Sequence, residues 1–278
     1  MDRRHFLELL AAGVITAATG VAAFEVLPRV LEGPARFGFG KMGAPLPSTT
    51  PDTHVYPTAV PFLFNEPQLQ KVPVPFGTIS AIKGQPGTIA LTIDDGISTD
   101  VVREYTLFAD RTGMRLTFFV TAQYPSWTET IPQLRPLVES GQIQLANHTW
   151  THPALPKITD GQIQDELGRT HDFLIKNYAV DATPYFRPPF GKHDSRVDAV
   201  AANLGYTSPV MWMGTLSDAG QITPDQLRSF ADKWIGDQRV VIGHANVPAV
   251  LECFDYIAQL IIDRKLQPVT LNDLYLSA

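Results

Sequence analysis

Two adjacent aspartates, Asp94 and Asp95, end the apolar run TIALTIDDG. Two histidines, His148 and His152, sit four residues apart in NHTWTHP. Farther along come Arg187 in RPPFG, Asp218 in WMGTLSDAG and His244 in VIGH. Cys253 is the only cysteine in the chain, so there is no disulfide framework and no thiolate cage, and any metal must be held by imidazole and carboxylate. The four-residue spacing, placed on a helical turn, directs two imidazoles to one side. A carboxylate from another strand would complete a facial set of two His and one Asp, with a position left open for water, as a hydrolytic zinc site requires. His-x-x-x-His and an Asp-Gly turn are each common without a metal. It is their joint occurrence with the Arg and Gly-His segments that points to a metal hydrolase. One aspartate would bind the metal and stay ionised while its neighbour takes a proton from water. Adjacent strand residues face opposite ways, so both reach one site only if the chain turns at Gly96.

Seven β-type runs are available to position these groups: Thr88 to Asp94, Leu116 to Ala122, Ile143 to Thr149, Tyr185 to Phe190, Tyr206 to Trp212, Arg239 to Ala245 and Leu266 to Leu271. Helical periodicity fills the gaps, most clearly where Ile163, Leu167, Thr170 and Leu174 recur, with Thr159 or Asp160 as the cap. Strands alternating with helices predict an α/β fold of parallel units, a small or incomplete barrel. Its active site belongs at the carboxyl ends of the strands. The polar residues fall there: Asp94 and Asp95 after the first strand, His148 and His152 after the third, Arg187, Trp212 and His244 at the ends of the fourth, fifth and sixth.

A length of 278 residues, 44% hydrophobic and 18% charged, supports one sizeable core with appendages. The net charge of -6 argues against nucleic acid as a partner. Residues 1–25 carry paired Arg3 and Arg4, then Phe6, Leu7 and a small-residue apolar stretch, the pattern of a twin-arginine export signal. Left uncleaved, the same stretch would be an N-terminal membrane anchor. The expected location is outside the cytoplasm, periplasmic, wall-associated or secreted. Residues 26–76 hold ten of the 23 prolines and read as an extended arm. Phe62, Phe64 and Phe76 in that arm predict packing of its later part across the domain at 77–278.

In their order, TIDDG, HTWTH, RPPFG, the Trp212 to Asp218 segment and IGH resemble the five motifs of the polysaccharide deacetylases, the NodB-homology domain of carbohydrate esterase family four. The resemblance spans roughly Thr88 to Leu274 and implies a distorted (β/α)7 barrel and metal-dependent removal of N- or O-acetyl groups from carbohydrate; the expected cofactor is a divalent metal, Zn²⁺ first, with Co²⁺ or another divalent ion as alternatives. It implies Asp94 as base, with Asp95, His148 and His152 as metal ligands. Arg187 matches the arginine that orients the base, His244 the general acid, and Asp218 the acid that tunes it. Phe190, beside Pro189, stands where the family usually has Tyr, at the backbone N–H assigned to the oxyanion. Thr215 and Ala219 replace an Asp and a Trp of the fourth motif, and Ile97 replaces a Pro, so one wall of the sugar groove is altered.

Trp212 is a candidate sugar-stacking platform or a buried strand residue. Asn246 and Trp127 are candidates to line the cleft, and His193 and Lys192 to meet substrate. His171 reads as a helix-flank residue, His5 as part of the export signal and His54 as part of the arm. The expected partner is an acetylated glycan such as peptidoglycan or a chitin-like polymer. A non-catalytic glycan-binding barrel and a hydrolase of a smaller amide or ester are the two alternatives.

Overall fold

In a computed structural model the described residues are 63–276. The export-signal pattern, His5, His54 and Phe62 lie outside them. Among the described residues no helix is long and apolar enough to cross a membrane.

Three central strands carry the fold: β1 (Thr88–Asp95), β2 (Leu116–Val120) and β3 (Ile143–Asn147). All of their residues are buried, as strands covered on both faces must be. They pair in parallel with β4 (Tyr185–Phe186), β5 (Ser208–Pro209), β6 (Gly214–Thr215) and β7 (Arg239–His244) in the order β5-β4-β3-β2-β1-β7-β6, and β8 (Gln267–Pro268) pairs with β1. This curled parallel sheet is the incomplete (β/α)7 barrel expected from the sequence. β4 and β5 are shorter than the runs predicted for them, because prolines 188, 189 and 209 remove backbone donors from the ladder. β6 was not predicted, since two residues of Gly-Thr offer no alternation to read.

Helices α1 (Thr99–Thr112), α2 (Ser126–Glu129), α3 (Ile131–Glu139), α4 (Asp160–Tyr178), α5 (Ser195–Ala202), α6 (Pro224–Trp234), α7 (Phe254–Asp263) and α8 (Leu271–Leu274) fill the connections. Thr159 and Gln162 form a capping box on α4 and Thr223 and Gln226 another on α6, satisfying donors that a helix start leaves open. The α4 stripe of Ile163, Leu167, Thr170 and Leu174 is buried, as its spacing requires.

Alternation along the strands makes two cores. Ile89, Leu91 and Ile93 of β1 pack outward with Phe118, Leu145 and Val241 against the helices. Ala90, Phe119, Ala146 and Val240 pack inward with Ile79, Ile82, Val210 and Leu274. The end of the Pro-rich arm belongs to these cores: Phe64 is only 6% exposed, and Leu63 and Phe64 donate backbone N–H groups to the Thr112 carbonyl at 2.9 and 3.0 Å. The chain then bridges the gap between β5 and β7. Ile79 N–H donates to the Pro209 carbonyl, Met211 N–H to the Ile79 carbonyl, and Ile82 N–H to the Gln238 carbonyl. Phe76, by contrast, is 90% exposed.

Candidate active site

The inward face of β1 climbs from Ala90 through Thr92 to Asp94, from methyl to hydroxyl to carboxylate. Thr92 Oγ1 donates to the Val241 carbonyl at 2.9 Å and accepts from Arg187 Nη2 at 2.9 Å. Asp94 Oδ1 accepts from Arg187 Nη1 at 2.5 Å. Arg187 is 0% exposed, and its Nε donates to the Val210 carbonyl at 2.9 Å. Its guanidinium lies 4.0 Å from the Phe119 ring centroid and 5.6 Å from that of Trp212. A buried cation held on so many sides is fixed in place, and it fixes Asp94.

By the pleat, Asp95 would point away from Asp94. It does not, because its backbone is left-handed at φ 71°. The expected turn at Gly96 thus begins one residue earlier, and Gly96, at φ 96°, continues it. A Cβ on Gly96 would stand 2.4 Å from the Trp127 ring, so only glycine fits. Trp127 is wholly buried and donates its indole N–H to the Asp95 carbonyl at 2.9 Å. It therefore braces the turn from behind and does not line the cleft.

His148 and His152 meet, but not on a helical turn. Residues 148–152 are a loop with left-handed backbone at Thr149 (φ 72°) and His152 (φ 63°). Glu166 of α4, only 8% exposed, holds this loop: its carboxylate accepts from Trp150 N–H at 2.8 Å, Thr151 N–H at 2.7 Å and the Thr151 hydroxyl at 2.5 Å. Asn147 Oδ1 accepts from Thr149 N–H at 2.9 Å. Sequence reading missed Glu166, although a carboxylate beside Leu167 on the apolar stripe of α4 was a visible signal.

His148 Nδ1 lies 2.8 Å from the Arg187 carbonyl, which only accepts, so Nδ1 carries the proton and Nε2 the lone pair. Nε2 is 3.4 Å from Asp95 Oδ1 and 3.4 Å from Asp94 Oδ2. His152 Nε2 is 3.3 Å from Asp95 Oδ1. Asp95, His148 and His152 offer one ligand atom each within 4.8 Å of one another. Asp95 Oδ1 is buried without a hydrogen-bond partner, while Oδ2 accepts from Asn246 Nδ2 at 2.7 Å. A buried orphan oxygen facing two imidazole nitrogens fits a divalent cation, with donors suited to Zn²⁺ or Co²⁺.

The charges of the cluster act on one another. Burial pushes the Asp95 carboxyl up, but the His148 and Asn246 contacts and the charge of His152 outweigh it and hold it well below the usual range. Burial pulls His148 down, and the carboxylates of Asp94 and Asp95 more than offset it, leaving it raised. His152 is lowered, by burial and then by the charge of His148.

On the β7 side, His244 pairs in register with Asp94. Its Nδ1 is 3.0 Å from Asp218 Oδ1, and its backbone N–H donates to Asp218 Oδ2 at 3.2 Å. Asp218 is fully buried, so both of its oxygens serve His244. Burial pulls His244 down, but the Asp218 hydrogen bond and charge, with Asp94 and Asp95 beyond, raise it above its ordinary value of 6.5. With Nδ1 engaged, Nε2 is the nitrogen left for proton transfer.

Phe190, 62% exposed, sits at φ 59° with its ring 4.6 Å from that of His152. Pro189 beside it is buried. Trp212 is half-buried against the inner core. Lys192 Nζ lies 5.7 Å from the Phe190 centroid. His193 Nδ1 is 2.8 Å from Asp198 Oδ1, and His171 Nδ1 is 3.0 Å from the Tyr206 hydroxyl. Asp95, His152 and Phe190 are three non-glycine residues in left-handed backbone around one site, the clustering expected where function over-determines conformation.

Comparison with known proteins finds similarity in the middle of the chain. Residues 81–209 match the polysaccharide deacetylase family. The chain is 36% identical over 124 residues to chitin deacetylase 1 of Cryptococcus neoformans var. grubii, covering 44% of this chain and 25% of that protein. It is 32% identical over 126 residues to the peptidoglycan-N-acetylmuramic acid deacetylase PdaA of Bacillus subtilis, covering 45% and 46%. The matches thus span between a quarter and a half of these relatives. Among solved structures, the chitin deacetylase of Colletotrichum lindemuthianum shares the fold with a TM-score of 0.66 at 19% identity, covering 74% of this chain and 94% of that one. A family 4 carbohydrate esterase pseudoenzyme from Bacillus anthracis shares it with a TM-score of 0.63 at 18% identity, covering 72% and 69%. Residues 81–209 thus resemble the polysaccharide deacetylases in sequence and the described chain shares their fold, which alone does not separate active from inactive members.

Proposed function

We propose that this protein is an exported, metal-dependent deacetylase that removes acetyl groups, N-acetyl foremost, from a cell-envelope or extracellular glycan. The single observation that carries the reading is the convergence of Asp95 Oδ1, His148 Nε2 and His152 Nε2, with Asp94 on one side and the His244–Asp218 pair on the other. Asp95, His148 and His152 are the residues that would hold the ion. When bound, a divalent ion would polarise the acetyl carbonyl and lower the pKa of water beside it.

The remaining work falls to side chains. Asp94 has one oxygen held by Arg187 and the other, Oδ2, 3.4 Å from His148 Nε2. That free oxygen takes the proton from the attacking water. The backbone N–H of Phe190 faces the charge that develops on the acetyl oxygen, a contact of a kind worth about 3 kcal/mol in comparable sites. His244, kept protonated by Asp218, gives its proton to the departing sugar amine. Water adds across the amide bond, acetate leaves, and the amine remains on the glycan. Retention of both Asp94–Arg187 and His244–Asp218 supports catalysis over binding alone, since a binding groove needs neither pair. The relatives' names, chitin deacetylase and peptidoglycan deacetylase, support an acetylated glycan as substrate.

A smaller amide or ester is the second reading, favoured by the exposed Ala219 where a wall residue would be large. Residues 77–278 form the proposed catalytic unit, with 1–25 directing export through the twin-arginine route. Acetate release from N-acetylated chitooligosaccharides and peptidoglycan, set against release from small N-acetyl amides, separates the two substrate readings.

A further inference from the structure

Asn246 lies two residues beyond His244, where β7 runs out beside the turn that ends β1. Its partners are all in place around Asp95. Nδ2 donates to Asp95 Oδ2 at 2.7 Å and reaches the Ala219 carbonyl at 3.4 Å, while Oδ1 accepts from Ile97 N–H at 3.5 Å. The orientation of the amide is fixed by chemistry: a carboxylate and a carbonyl only accept, so the NH₂ must face both.

The consequence is for the ligand carboxylate. With Oδ2 occupied, only Oδ1 is left to face His148 and His152, and Oδ1 is the atom with no other partner. Trp127 fixes the Asp95 backbone through its carbonyl, and Asn246 fixes the side chain. Through Ala219 the same amide touches the loop that carries Asp218, and so links the ligand to the pair that holds His244.

We propose that Asn246 is a positioning residue for the metal ligand Asp95, setting it to bind through one oxygen and raising the affinity of the site. The inference rests on the metal-site reading above. Partners that orient ligands in this way typically change metal affinity by about 10- to 100-fold when removed.

The test uses the full-length protein stripped of metal, titrated with Co²⁺ and with Zn²⁺ alone, as wild type, Asn246→Leu and Asn246→Ala. Leu keeps the approximate volume and lacks the donor, and thermal unfolding of the metal-free proteins identifies any variant that has lost its fold. Wild type should bind Co²⁺ with Kd values about 10- to 100-fold lower than either folded variant. The variants should also show altered cobalt visible absorption, because Asp95 Oδ2 is released. Equal affinities and an unchanged spectrum would overturn the role of Asn246 and leave the metal site standing. Failure of wild-type protein to bind either ion would overturn the metal site itself, and with it this inference.

Discussion

Asp94 and Asp95 are neighbours in sequence, yet one faces an arginine and the other two imidazoles, and a single backbone dihedral at Asp95 separates them. This division gives contrasting outcomes. Asp94→Asn should lower turnover by a factor of about 10² to 10⁴ while bound metal, measured by elemental analysis, stays at the wild-type level. His148→Ala should lose metal and turnover together. Arg187→Leu leaves Asp94 buried without its cation and should destabilise the protein by about 3 to 5 kcal/mol, read by denaturant unfolding. His244 titrates above its ordinary value because Asp218 favours the charged form. As the proposed general acid it would work when protonated, so activity should be present below its folded pKa and fall as pH rises through it. Asp218→Asn removes that support and should move the alkaline limb of the kcat profile to lower pH. At this scale the sequence was informative, because each residue proposed to react lies near a strand end in a recognisable motif. A turn at Gly96 was expected, but its start at Asp95 was not legible, since the left-handed backbone there is a matter of tertiary packing beside Gly96 and Trp127.

The loop after β3 shows what elements contribute. A helical turn was the simplest way to bring His148 and His152 together, and the chain uses a loop held by Glu166 from α4. Glu166→Ala would leave the Trp150 and Thr151 donors without their acceptor. It should cost about 3 kcal/mol of stability and weaken Zn²⁺ binding, the first read by denaturant unfolding and the second by metal titration. The contact pairs residues 16 and 15 positions apart across two elements, beyond what periodicity reports. Periodicity did place α4 and its buried stripe, because its apolar spacing and its capping residues agree. The two-residue strands β4, β5 and β6 were the hardest to bound, being held by neighbours and prolines more than by their own pattern.

Over the whole molecule, a parallel sheet that does not close on itself is completed by the chain that precedes it. Ile79 and Ile82 bond to the β5 side and to the start of β7, and Phe64 is buried against the outer core. Phenylalanines among prolines pointed to this packing in the sequence, while the bridge across the seam could not be foreseen from residues so far from β5 and β7. Phe64→Ala should cost about 3 kcal/mol or more and lower Tm by on the order of 10 °C with metal content unchanged, because the site lies at the opposite ends of the strands.

The most direct measurement is acetate release by the full-length, Zn²⁺- or Co²⁺-loaded protein from N-acetylated chitooligosaccharides and from peptidoglycan, with Asp94→Asn alongside. Release by the wild type and not by the variant is the predicted result. Bound metal with no acetate from either glycan, or equal release by the variant, would contradict a glycan deacetylase that uses Asp94 as its base.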